Sequence, residues 1–335
     1  MKFGLALPHY DFSFPDGKPV TFDRVAQVAR RAERLGFDSV WISDHFFLSL
    51  AKYGAGDAQY GALEPLTTLA GLAARTERIR LGTMVLVASL RHPSVVAKSA
   101  AAIDLYSNGR MELGLGAGWF LEEFPAFGYE FGTTGRRFAA LEEAVWIVGA
   151  LLAESPVSLD TRTMHLVEAY NNPRPKQRPR PPVWLGAKGG PRAIRLAARY
   201  ADGWNTAWRW SYDAYAARSL AADRICEEEG RDPASLRRQL GLYALVGESE
   251  QDLVMRYHEL QQWTPSGALG GETLAEYARE TLSGTPERIL EQVGRFSSLG
   301  VEEIVINAGS MPFSIFDLSM LDLFAESVMA PAKAL

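Results

Sequence analysis

Strand and helix signals alternate along nearly the whole of this 335-residue chain, and that alternation restricts the fold more than any single motif does. Apolar runs of strand length occur at 3–7, 39–42, 79–87, 111–115, 240–246 and 303–307, and two more lie within 182–206. Between them, apolar residues recur at helical spacing. Phe22, Val25, Ala26 and Ala29 share one face, and Gly36 closes that helix. Leu66, Leu69, Ala70 and Ala73 follow Pro65; Val96, Ala100 and Ile103 follow Pro93. Leu141, Ala144, Val145 and Val148 form another face, as do Ile289, Val293 and Phe296. Eight strand–helix pairs predict an α/β chain, a (β/α)8 TIM barrel. A doubly wound sheet is the alternative. It wants Gly-x-Gly-x-x-Gly after the first strand, and none is there. Gly114-Leu115-Gly116-Ala117-Gly118 comes after the fourth strand and lacks the third glycine at that spacing.

Three stretches interrupt the rhythm within an expected single domain, 1–335. Insertions are expected near 44–64, near 155–181 with the proline-rich tether NNPRPKQRPRPP, and near 248–286. Long segments after barrel strands are where such folds build their sites.

Composition removes several function classes. A formal charge of -5 gives no basic face for nucleic acid. The single cysteine, Cys226, excludes an internal disulfide framework, and its helical setting suggests packing. No uncharged run is long enough for a membrane span, and no secretory signal is visible, so the expected location is the cytoplasm.

The densest chemistry lies at 182–206. Val183-Trp184-Leu185 reads as a buried strand, followed by Gly186-Ala187-Lys188-Gly189-Gly190 and then Pro191 at a first helical position. Ile194, Ala197, Ala198 and Ala201 give that helix its apolar face. Glycines, a helix N-terminus and Lys188 suit an anion, most simply a phosphate. An ordinary turn between strand and helix is the bland alternative.

Ser43-Asp44-His45 ends the second strand, which puts a carboxylate and an imidazole at a barrel's catalytic end. His45 is the candidate for proton exchange and Asp44 for orientation. A solvated strand end is the plain alternative. His9, with Tyr10, ends the first strand and suits a pocket wall. His9, His45 and His92 would together make a histidine metal mouth, but no further ligand spacing supports it, and no metal is expected. Met84 in the third strand marks a bulge, a ligand contact or a core layer. Gly116-Ala117-Gly118 strips side chains from the fourth strand's end, where Trp119 and Phe120 then offer walls for a flat ring. Trp41, Trp184 and Trp204 read as packing.

These segments, with Arg91-His92-Pro93, the run from Ser107 to Trp119, Glu123 to Gly128 and Asn171-Asn172-Pro173, appear in an order that resembles one family. It is the bacterial luciferase-like group of flavin and deazaflavin oxidoreductases. The resemblance implies a homodimeric barrel that binds FMN or the deazaflavin F420, and GAGW and ADGWN point to the F420 subgroup. It implies a cis peptide at Met84-Val85 bulging against the ring, with Ala117 and Gly118 nearby. It also implies that Ala187, Lys188, Gly189 and Gly190 hold the cofactor phosphate, and that Asp44 and His45 sit over the ring. Where some F420 dehydrogenases carry an acidic residue, this chain has Trp119.

The function expected is therefore hydride transfer between F420 and a small, largely apolar organic substrate. His45 would move the coupled proton, and a loop with Phe46, Phe47, Tyr53 and Tyr60 would exclude water. The alternative is an FMN-dependent monooxygenase fed by a partner reductase and using O2. A non-catalytic flavin-binding protein is the alternative of another class.

Overall fold

The computed structural model describes residues 1–265 and 268–333. Positions 266–267 of the expected insertion at 248–286, and the last two of the expected domain 1–335, lie outside the described residues. The chain forms two compact units, one of residues 1–63, 206–221 and 237–335, the other of 64–205 and 222–236.

In the first unit the parallel order runs second, first, eighth, seventh strand. Ser39–Ile42 pairs with Lys2–Ala6 (Leu5 opposite Val40), and Lys2–Ala6 pairs with Val301–Asn307 (Gly4 opposite Val305). Val301–Asn307 pairs in turn with Arg237–Val246 (Leu240 opposite Ile304). The seventh strand starts earlier than the hydropathy suggests because Arg238 and Gln239 are buried and hydrogen-bonded. Leu282–Gly284 adds a short parallel strand beside it, which the polar sequence around it hides. The strands' apolar residues, Phe3, Leu5, Ile42, Leu240 and Ile304 among them, are fully buried. Phe22–Leu35 covers this unit, capped by Thr21 at its start and by Gly36 at φ 85 at its end.

The second unit orders its parallel strands third, fourth, fifth, sixth. Arg80–Thr83 pairs with Met111–Gly116, which pairs with Val183–Gly186, which pairs with Gly203–Thr206. The third strand, expected as one run over 79–87, is broken: Leu86–Val87 pairs separately with the fourth strand. The peptide between Met84 and Val85, at the break, is cis. Helices Pro65–Ala73, Pro93–Tyr106 and Thr134–Ala153 follow the expected apolar spacing. Trp184 and Trp204 are in the core, as is Cys226. The tether is held down by hydrogen bonds. Asn171 donates to the Leu151 carbonyl at 2.8 Å, and Gln177 binds the Asp104 carboxylate and the Met111 carbonyl.

Eight parallel strands thus alternate with helices, four strands in each unit. No helix among the described residues is long and apolar enough to cross a membrane.

Candidate active site

In the first unit the strand ends bring together His9, Tyr10, Ser43, Asp44 and His45. All five are buried, so the solvated-strand-end reading of Ser43-Asp44-His45 does not hold. Three of them form a directed chain. His9 Nδ1 lies 2.9 Å from the Leu7 carbonyl, which can only accept, so Nδ1 carries the proton. Nε2 is then an acceptor, 3.0 Å from Ser43 Oγ. Ser43 gives its proton to His9, so the Tyr10 hydroxyl donates to Ser43 at 2.6 Å. Burial, reinforced by the neighbouring His45, pushes the His9 pKa down to about 3, which keeps the ring neutral.

The expected loop at 44–64 is a hairpin. Phe47–Ser49 pairs antiparallel with Gln59–Gly61. It is tied to the segment after the first strand, where Leu63 N–H donates to the His9 carbonyl at 3.1 Å and Gly61 N–H to Asp11 at 3.1 Å. Phe12 stacks on Tyr10 and meets Tyr60 edge-on. Phe46 is half-buried.

Hydropathy reading gave no role to Trp208, Tyr243 or Phe313, yet they continue the same aromatic surface. Trp208 lies 5.1 Å from Phe313 and 5.9 Å from Tyr243, centroid to centroid, and Phe313 lies 5.0 Å from His9. Tyr243 lies within the seventh strand, Trp208 two residues after the sixth and Phe313 in the segment after the eighth, so no shared sequence signal marks them.

In the second unit the glycines of the fourth and fifth strands make room for a side chain. A Cβ on Gly116 or on Gly186 would lie 2.6 Å from a Val85 methyl. Val85 therefore occupies the space that the bare backbone of Gly116 and Gly186 leaves open. Gly118, at φ 77, faces Val87 and Phe124. Trp119 is 40% exposed and 5.5 Å from Phe120.

The turn at Ala187-Lys188-Gly189-Gly190 is held from within. Ala187 N–H donates to the Asn205 carbonyl at 3.0 Å, and Trp204 Nε1 donates to the Ala187 carbonyl at 2.9 Å. Gly189 has φ 76, a backbone that glycine adopts most readily. Gly190 caps Pro191–Tyr200 without a side-chain hydrogen bond. A Cβ built there meets nothing within 4 Å, so the helix start opens on free space. Lys188 is exposed beside it. This geometry fits a phosphate.

Metal binding gains no support. His92 caps Pro93–Tyr106, its Nδ1 accepting from Ser94 N–H at 3.3 Å. Among the described residues no three His, Cys, Asp or Glu side chains are grouped to hold an ion.

Strand–helix pairs with polar residues gathered at strand ends define a (β/α)8-barrel enzyme. The family is equally plain. The model of the luciferase-like monooxygenase family matches residues 1–303, and the chain belongs to that family. It is 30% identical to an F420-dependent hydroxymycolic acid dehydrogenase of Mycobacterium tuberculosis, over 97% of this chain and 87% of that one. It is 36% identical to an F420-dependent glucose-6-phosphate dehydrogenase of Microbacterium testaceum, over 82% and 84%. The solved structure of an F420-dependent secondary alcohol dehydrogenase with an F420–acetone adduct matches with a TM-score of 0.76 at 20% identity, covering 99% and 98%.

Proposed function

We propose that this protein is an F420-dependent oxidoreductase that transfers a hydride between the deazaflavin and a small organic substrate. The observation that carries the reading is full-length similarity to a dehydrogenase named for F420. The phosphate-type turn is consistent with it: Ala187, Lys188, Gly189 and Gly190 would hold the cofactor phosphate. Met84, Val85, Ala117 and Gly118 would contact the ring, and Asp44 would orient it. Bound F420 supplies two-electron hydride chemistry. His45 takes or gives the coupled proton. His9 and Phe46 would wall the substrate pocket within the first unit.

Titration of the purified protein with F420 and with FMN, followed by cofactor absorbance and fluorescence, tests the assignment. Micromolar F420 binding supports it. Micromolar FMN binding without F420 binding sinks it in favour of an FMN-dependent monooxygenase with a partner reductase. That alternative rests on the family's own description as monooxygenases.

The enzyme is also inferred to work in the cytoplasm as a homodimer. Tyr106, Trp119, Phe127, Tyr129 and Trp146, all in the second unit, are large apolar residues left exposed in the single chain. Light scattering on the eluting peak checks this, with a monomer mass as the contrary result.

A further inference from the structure

The helix Phe22–Leu35 commits Val25, Ala26, Val28, Ala29 and Ala32 to the core. It also carries Arg24, Arg30, Arg31 and Arg34. With Phe14 and Leu318, these arginines line a groove of about 350 Å³ that lies wholly within the first unit. The helix's own carboxylates, Asp23 and Glu33, do not line it. In a chain of formal charge -5, the groove is a local concentration of positive charge.

The arginines are not equivalent. Arg24 lies 3.8 Å over the Phe14 ring and donates to Asp16 at 2.7 Å and to the Lys18 carbonyl at 3.0 Å. Arg31 is paired with Asp322, yet its Nε is buried without an acceptor among the described residues. Arg30 and Arg34 are exposed, and neither has a hydrogen bond or ion pair among the described residues. They stand one turn apart on the helix, where side chains are neighbours and like charges repel. The helix dipole favours Arg34 in the last turn and does less for Arg30, a turn earlier. An anion bound between the two removes that repulsion, and a guanidinium fork matches phosphate oxygens two at a time. The groove's volume is at the small end of small-molecule sites. Phe14 and the exposed Leu318 give such an anion an apolar surface to rest on.

From this arrangement we infer that the groove is a second binding site, sharing no residue with the strand-end site, for a small organic phosphate. Arg30 and Arg34 take the phosphate or diphosphate, and Phe14 and Leu318 take the apolar body. The site stands whichever cofactor the enzyme uses.

The probes are phenyl phosphate, inorganic pyrophosphate and phenol, titrated calorimetrically into the full-length protein, with hydrogen exchange to locate the contact. Phenyl phosphate and pyrophosphate should bind, more weakly as salt is raised, and phenol should not bind at the same concentrations. Amides of Phe22–Leu35 and those around Leu318 should gain protection. The double variant Arg30→Gln/Arg34→Gln should weaken phenyl phosphate about 10-fold or more and keep the wild-type melting midpoint, since both side chains are exposed. Arg30→Lys/Arg34→Lys should recover part of that loss, because charge returns without the fork. The inference is overturned by unchanged affinity in the glutamine double variant, by protection confined to the turn at Ala187–Gly190, or by no binding of either phosphate at millimolar concentration. Failure of F420 to bind would sink the proposed function and leave these results standing.

Discussion

His9 accepts a hydrogen bond from Ser43 at 3.0 Å, and its direction is fixed by the other ring nitrogen, which donates to the Leu7 carbonyl. The pair thus locks one neutral tautomer inside the first unit. In the unfolded chain the imidazole protonates below about 6.5; in the fold its pKa is about 3. Between those values the unfolded state binds more protons, so stability falls as pH falls from about 6.5 to 3, and the contribution is fully present above 6.5. The full loss is on the order of 5 kcal/mol. Urea unfolding at a series of pH values should show a steeper acid decline for the wild type than for His9→Asn. Parallel curves would remove the neutral, buried His9.

Arg110 anchors the entry to the fourth strand. Its guanidinium donates to the carbonyls of Ser107, Ile79, Ala73 and Thr76 and to the Thr76 hydroxyl, at 2.6–3.0 Å. Lysine cannot reproduce that fork. Arg110→Lys should lower the unfolding free energy by about 3 kcal/mol, since several charge-assisted bonds lose their donor. The urea midpoint checks this. A shift below about 0.5 kcal/mol would mean the surrounding carbonyls are satisfied otherwise.

That arginine also shows where sequence reading succeeds and where it stops. Ser107-Asn108-Gly109-Arg110 marks the family, but only coordinates show its job to be structural: Asn108 and Gly109 have φ 60 and 87, and Arg110 ties the turn down. Strand–helix alternation was visible because buried strands and one-sided helices leave distinct apolar periods. Leu282–Gly284 was not, since three residues beside a polar helix carry no period. The Gly190 turn and the Asp44-His45 pair announced themselves through residue type. Tyr243, Trp208 and Phe313 did not, because they lie far apart in sequence and join only through tertiary contact.

Val85 and Gly186 supply a packing prediction. An added methyl on Gly186 would sit 2.6 Å from one Val85 methyl and 2.7 Å from the other. Valine is stiff at χ1 and cannot swing clear cheaply. Gly186→Ala should destabilise by about 1–3 kcal/mol, and Val85→Ala added to it should recover part of that loss. Denaturant melts of the two single variants and the double variant measure the coupling. Strict additivity would show that the two residues do not share the space.

Lys188 is exposed next to the open helix start, so its contact with a phosphate is partly screened. Lys188→Ala should weaken F420 binding by about 1 kcal/mol, the low end for a charge-assisted contact. The backbone cradle of Gly189 and Gly190 should carry the larger share. Isothermal titration of the variant gives the value, and an unchanged dissociation constant would take Lys188 out of the phosphate site.

His45 is buried, 6.4 Å from the Tyr10 ring, while the nearby His9 is spent on structure. His45 is the proposed proton-transfer group, and a positioned acid or base contributes about 10²–10⁴-fold to rate. His45→Ala should therefore lower turnover of an alcohol substrate by that order and leave the F420 dissociation constant within about twofold. His9→Asn should act mainly through stability, recovering activity at temperatures well below its melting point. Steady-state rates, paired with cofactor titrations of the same preparations, separate the two roles. Full turnover in His45→Ala would assign the proton to another group.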